Sequence, residues 1–339
     1  MIAIQQRYSG LSIAVLVASL LVLFATCVLS LLIGARSISP SMAWDALRAY
    51  DAGLTDHIII RDYRLPRTLL CLMCGAAFGV SGALIQATTR NPLADPGILG
   101  VNAGAAFFVT ITVGLFGWQS IGSYVYAAFV GAVVVALLVY ALGAAGRDGA
   151  TPVRLVLSGV AVSAVLGGIG SSITLLNPQA FDTIRMWSIG SVAGRDMYVV
   201  ETVAPFILVG LAVSLAASHA LNVMVLGDDL ARSLGASILR ARILVVIAVT
   251  LLAGAATAAV GPIGFVGLMV PHMVRWFTGT DQRWIVLLTM IVAPVLLLIA
   301  DITGRLILYP NELEAGIVTA FLGAPVLILL ARGRKAKSL

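Results

Sequence analysis

Charge is what this chain has least of. Its 339 residues hold only 21 Lys or Arg and 15 Asp or Glu, 11% together, where a soluble domain carries about 25%. With 60% hydrophobic residues and a mean hydropathy of +1.06, that shortage excludes a water-soluble enzyme, a nucleic-acid-binding protein and a disordered chain. Lysine is nearly missing: Lys335 and Lys337 stand alone, both in the C-terminal tail. A nucleotide-binding P-loop needs a Lys directly after its glycines, so any ATP this protein uses is bound by another chain. Cysteine is scarce too. Cys27, Cys71 and Cys74 all lie in apolar runs, and the Cys71–Cys74 pair, though at redox spacing, sits inside a membrane helix as packing residues. The three histidines, His57, His219 and His272, are too scattered for a metal site. There is no convergent His, Ser or carboxylate set to act as catalytic machinery. No catalytic residue, metal or cofactor is expected, and the chain is not read as an enzyme.

What is present is hydrocarbon in long runs. Stretches free of Asp, Glu, Lys and Arg cover 8–35, 68–89, 97–146, 155–181, 202–227, 243–274, 284–300 and 315–331. One helix crosses the bilayer core with about 20 residues. The run 97–146 is therefore long enough for two, with a hairpin turn marked by Gly117, Gln119, Ser120, Gly122 and Ser123. The run 243–274 is broken near its middle by Gly261-Pro262. The expectation is an all-α polytopic membrane protein of about ten transmembrane helices, a single transmembrane domain over 1–339. The N-terminal apolar run is too long for a signal peptide and reads as a retained first span.

An even count puts both termini on one side, and charge chooses which. Cytoplasmic loops of membrane proteins carry the excess of Arg and Lys. With the basic tail inside, 13 basic residues fall on the cytoplasmic side and 8 on the other. This accounts for the net charge of +6 without nucleic acid. The segment 36–66 becomes an outer, periplasmic connection between the first two helices, and 226–242 becomes the longest cytoplasmic loop. The small-xxx-small pairs Gly75 with Gly79 and Gly100 with Gly104 read as sites of close helix packing. Pro-Gly-Ile-Leu-Gly at 96–100 faintly echoes Gly-Pro-Ile-Gly-Phe at 261–265, in comparable places of the two halves.

Four segments carry more than hydropathy. In DYRLPRTL (62–69), Arg64 and Arg67 project near the membrane surface, either as lipid anchors or, with Arg61, as a positive rim for an acidic partner. In RNPLADPGILGVNAGA (90–105), prolines and glycines interrupt the apolar pattern. Broken backbone at membrane depth survives where protein or a water-filled cavity covers it, so Asn91 and Leu93 read as pathway-lining, with a plain turn as the alternative. LGDDLARSLGAS (226–237) is a short helix-forming stretch between glycines, built to insert into a cytoplasmic partner. Asp301 and Arg305 stand at i, i+4, the order of an intrahelical ion pair, and no run of buried acids of the kind a proton-coupled carrier keeps is present.

These residues also resemble a known family. RLPRTL (64–69), RNPLADPGILGVNAGA (90–105), LGDDLARSLGAS (226–237), GPIGFVGLMVPHMVRW (261–276), ADITGRL (300–306) and FLGAPVLILL (321–330) resemble, in order and nearly end to end, the iron-complex (FecCD, or vitamin B12, type) ABC importer permease family. LLNPQAFDTIRMWSIGS (175–191) and LGVNAGA are most similar to its ferric enterobactin branch. The resemblance implies an inner-membrane subunit that pairs with a second permease, a homologous different chain or an identical one. It further implies two cytoplasmic ATPases and a periplasmic siderophore-binding protein. It places Arg64, Arg67 and Arg305 at binding-protein docking and Asn91 and Leu93 at the translocation gate. Leu226, Gly227, Asp228, Ala231, Leu234 and Gly235 fall at ATPase coupling. Pro152 and Val153 stand where the vitamin B12 permease has polar gate residues, so the gate chemistry need not be the same here. The implied function is ATP-driven import of a ferric siderophore, a catecholate of the enterobactin kind, by alternating access. Haem, cobalamin or a hydroxamate siderophore are the alternative cargoes, and a secondary transporter without ATPases is the reading from a different class.

Overall fold

The computed structural model describes residues 2–118, 120–145, 151–225, 227–233, 235, 237–309 and 311–332. Every regular element among them is helical: α1 (Ile2–Leu32), α2 (Pro40–Arg48), α3 (Thr55–Ile58), α4 (Leu65–Thr89), α5 (Val101–Gly114), α6 (Ile121–Ala144), α7 (Pro152–Leu176), α8 (Pro178–Ile189), α9 (Met197–Met224), α10 (Asp228–Ser233), α11 (Ile238–Val260), α12 (Val266–Thr278), α13 (Gln282–Ile307) and α14 (Ala315–Arg332). Among the described residues, seven stretches are long and apolar enough to cross a membrane. They are Ile13–Leu32, Thr55–Thr89, Gly122–Ala144, Val153–Leu176, Met197–Met224, Ile238–Val260 and Gln282–Ile307, with shorter apolar helices at Val101–Gly114 and Ala315–Leu329.

α4 is the axis of the bundle. It packs against α13, α11, α12 and α9, and 18 of its residues are buried. Its composition explains the place: glycine, alanine and cysteine shorten the side chains on the faces it turns to its neighbours. A Cβ on Gly75 would stand 2.7 Å from Pro294 Cα, and one on Gly79 would strike Ala293 and Thr289 of α13. The small-xxx-small pair at 75 and 79 is thus a line of backbone contact. Gly104 is likewise pressed against Gly131 of α6. The stretches Ile13–Leu32 of α1 and Val153–Leu176 of α7, by contrast, are largely exposed.

The helix boundaries depart from the uncharged runs in three places. The second long helix begins before Pro66, because α3 passes through a π-turn at Ile59–Arg64 directly into α4. Much of the 36–66 connection is therefore helical. The run 155–181 is two helices: Asn177 ends α7 and caps α8, its Oδ1 accepting Ala180 N at 3.1 Å while Nδ2 donates to Gly114 O at 3.2 Å. Pro178 suits the first turn that follows. In the 226–242 loop, α11 already starts at Ile238. The hairpin near 117–123 and the break at Gly261-Pro262 stand where the sequence puts them, the latter with Gly261 at φ 75°.

Candidate functional site

The charged residues gather at the two ends of the bundle. At one end meet the C-terminus of α1, the start of α4, the end of α13 and the turn before α9. An α-helix leaves its last four carbonyls without intrahelical donors, and α1 has no basic residue in its own last turn. Distant arginines supply the donors. Arg64 Nη1 donates to Leu31 O (2.7 Å) and Leu32 O (2.9 Å), and its Nη2 to Arg36 O. Arg305 Nη1 donates to Ser30 O (2.7 Å) and Ile33 O (3.1 Å). Positive charge at a helix C-terminus also meets the negative end of its dipole.

This changes the picture of an exposed arginine rim. Arg64 and Arg305 are 6% and 2% exposed, because their guanidinium groups turn inward to close α1. Arg67 Nε donates to Asp301 Oδ1 at 2.8 Å, its Nη2 lies 2.7 Å from the same oxygen, and its Nη1 lies 2.6 Å from Glu312 Oε2. Asp301 also pairs with Arg305 one turn on. A buried carboxylate held between two guanidinium forks is satisfied on both oxygens.

Above these groups a cavity of about 340 Å³ opens, walled by Arg36, Arg64, Arg67, Arg195, Arg305 and Glu312 among others. Five arginines and one glutamate line it, and Arg67 is paired there with Asp301 and Glu312 and Arg305 with Asp301. Arg36 is more than half exposed and paired with Asp56 at 2.8 Å. Arg61 is exposed over the ring of Tyr50, 4.9 Å from its centroid, and stands outside the cavity lining. Arg195 and Glu312 were not singled out in the sequence. Their signal was present in the concentration of arginines on the side that the charge bias leaves poor.

At the opposite end, α4 stops at Arg90, which takes the left-handed conformation at φ 50°. Asn91 and Leu93 follow in an exposed turn in which Asn91 Oδ1 accepts Leu93 N at 3.0 Å. Arg90 Nε and Nη2 donate to Met224 O at 3.2 and 2.9 Å, fastening this turn to the last residue of α9. α10 follows at once, between Gly227 at φ 109° and Gly235 at φ 80°, with Ala231 buried. Asp228 is the first residue of α10; Leu226 and Leu234 lie outside the described residues. The turn with Asn91 and Leu93 is thus fastened to the end of α9, four residues before α10, whereas Arg64, Arg67 and Arg305 are a full helix length away. Val153 is exposed at the start of α7.

Between the ends, the two stretches that echo each other in sequence face each other. Asp95, Pro96 and Asn102 line one side of a small cavity of about 30 Å³ and Ile263, Gly264 and Gly267 the other. Asp95 Oδ1 accepts Gly97 N at 2.8 Å and caps the short 3-10 turn Pro96–Leu99. Burial pushes the Asp95 carboxyl above the usual carboxylate range. Thr257 Oγ1 donates to Asn102 Oδ1 at 3.0 Å, joining α11 to α5 beside the same cavity.

Comparison with known proteins gives this arrangement a context. The profile of the FecCD transport family matches residues 20–333. The chain is 47% identical over 313 residues to the ferric enterobactin transport system permease protein FepD of Escherichia coli (strain K12), covering 92% of this chain and 93% of that protein. It is 38% identical over 333 residues to the Fe(3+)-citrate import system permease protein YfmD of Bacillus subtilis (strain 168), covering 98% of each. Among solved structures, it matches a metal-chelate type ABC transporter in an inward-facing conformation with a TM-score of 0.79 at 26% identity, over 96% of this chain and 99% of that one.

Proposed function

The chain belongs to the FecCD transport family, and from that membership we propose that this multi-pass permease of a metal-chelate ABC importer carries a ferric siderophore of the catecholate, enterobactin-like kind. The observation that carries the cargo is the 47% identity to the ferric enterobactin permease over nearly the full length of both chains. The family also holds a ferric citrate permease at 38%, so the cargo is the part of the reading that needs a direct test.

In this reading the protein sits in the bacterial inner membrane with ten spans. The seven long helices are joined by the shorter α5, α12 and α14, and both termini are cytoplasmic. The arginine end, with the 36–66 connection, faces the periplasm. The α10 end, with the 226–242 loop, faces the cytoplasm. A second permease, homologous or identical, completes the pathway, and two ATPases take the α10 segment of each permease into a cleft. Gly227, Asp228, Ala231 and Gly235, with Leu226 and Leu234, serve that coupling.

A periplasmic binding protein docks at the arginine end. Arg64, Arg67 and Arg305 act there from the walls and floor of a cavity, while Arg36 and Arg195 complete its lining. Arg67 is already held by Asp301 and Glu312, so an arriving carboxylate competes with Glu312 for its Nη1. ATP binding and hydrolysis shift α10, and the adjoining turn with Asn91 and Leu93 opens the gate inward. No bond in the cargo is made or broken by this chain.

The test is radio-iron uptake in a strain lacking this gene, with ferric catecholate, hydroxamate and citrate complexes, haem and cobalamin offered separately. Loss of catecholate uptake alone, restored by the gene, is the expected result. Intact catecholate uptake with loss of another cargo overturns the enterobactin-like assignment.

A further inference from the structure

α12 carries Pro271 in its second turn. Proline has no N–H and leaves the carbonyl four residues earlier, here Gly267 O, without its helical donor. Inside a membrane bundle an unpaired carbonyl has no water to turn to. The donor comes from α4. Gln86, fully buried, gives its Nε2 to Gly267 O at 3.0 Å and to Leu268 O at 3.3 Å. The reach is short because the two backbones touch one turn away: Gly82 has no room for a Cβ against Gly267, and a Cβ on Gly267 would stand 2.7 Å from Phe78 O. The other end of the amide is also held, since Arg275 Nη1 donates to Gln86 Oε1 at 2.6 Å. An oxygen facing a guanidinium and a nitrogen facing two carbonyls fix which way the amide points.

The main chain of the same residue ends α4. Gln86 O accepts the N–H of Arg90 and that of Asn91, the latter at 3.2 Å. Gln86 thus ties the proline turn of α12 to the last turn of α4, and Arg90 ties that turn to Met224 at the end of α9. We propose that Gln86 is a positioning residue for the translocation gate, a clasp that fixes Asn91 and Leu93 relative to the Pro271 turn so that the gate moves only together with α12. This rests on the transport reading above. It assigns Gln86, Pro271 and Arg275 a joint role in keeping the pathway shut until the ATPases act.

The test uses the complete transporter in proteoliposomes with radio-iron ferric enterobactin. Gln86→Leu keeps the size of the side chain and removes the donor. The expected result is an ATP-free leak raised about tenfold, with iron moved per ATP lowered by a similar factor, the scale of one lost buried hydrogen bond. Pro271→Ala in the same chain returns a backbone N–H to Gly267 O but not the link between α4 and α12, so both quantities stay within about twofold of the Gln86→Leu values. A defect that came only from the unpaired carbonyl would be cured by that change. A cargo-free readout accompanies it: spin labels at Leu93→Cys in the turn and Trp276→Cys, exposed on α12, of one chain give a narrow distance distribution in the parent. It broadens with Gln86→Leu and stays broad in the double variant, which also carries the readouts if Gln86→Leu alone does not assemble. Parent-like leak, coupling and distance distribution in Gln86→Leu overturn the clasp, as does a double variant that returns to the parent's values or fails to assemble. If the parent complex moves no ferric enterobactin, the cargo assignment fails while the spin-label distances still decide the clasp.

Discussion

At the scale of single residues, the arginines gathered at the end of α1 show how one side chain joins two helices. Arg305 is 2% exposed, bonded to Ser30 O and Ile33 O on α1 and paired with Asp301. Removing it leaves a buried carboxylate with one partner fewer and two carbonyls without a donor. Breaking a buried pair from one side costs about 3–5 kcal/mol. Arg305→Ala is therefore expected to lower the thermal unfolding midpoint of the purified permease and its yield of assembled complex. Arg305→Lys restores only part of this, since a single ammonium does not span the carboxylate and the two carbonyls as the guanidinium fork does. Unchanged stability in Arg305→Ala would show that α1 closes without it.

At the scale of elements, α4 and α13 meet along a line of glycine, alanine and proline where no side chain separates the backbones. A Cβ on Gly75 would lie 2.7 Å from Pro294 Cα and 3.1 Å from Ala293 O, contacts with backbone atoms that have no rotamer to move. Gly75→Val is expected to destabilise the fold by about 1–3 kcal/mol, read as a lowered midpoint in thermal unfolding. The same substitution at Gly167, where nothing lies within 4 Å, leaves it unchanged. Equal effects at the two positions would contradict the packing account. This contact was legible as small-xxx-small spacing, and so were the hairpin before α6 and the break after α11, because glycine and proline act locally. The separate α8 was not legible from the uncharged runs, since 155–181 continues past Asn177 without a charge. Only the cap geometry, with Asn177 bonded to Ala180 N and Gly114 O, marks the turn. The inward turn of Arg64 and Arg305 was hidden for the opposite reason: their partners lie 28 to 33 and 272 to 275 residues away in sequence, and spacing carries no information at that range.

At the scale of the whole molecule, the two ends differ in kind. One gathers Arg36, Arg64, Arg67, Arg195 and Arg305 around a cavity with Glu312, and the other brings the Asn91–Leu93 turn beside Met224 and α10. The axis between them is α4, which starts at the first and stops at the second. The proposed transport reading assigns cargo arrival to the arginine end and ATPase coupling to the α10 end. The charge bias across the loops predicts an orientation from the sequence alone, whereas the pairing of specific residues comes from the fold. The most direct test is ATP-driven transport by the purified complex in proteoliposomes, with the α10 end oriented by protease accessibility. The account predicts that ferric enterobactin moves toward the α10 side only when ATP is on that side and binding protein on the other. Movement that needs no ATP, or that runs with ATP on the arginine side, would contradict it.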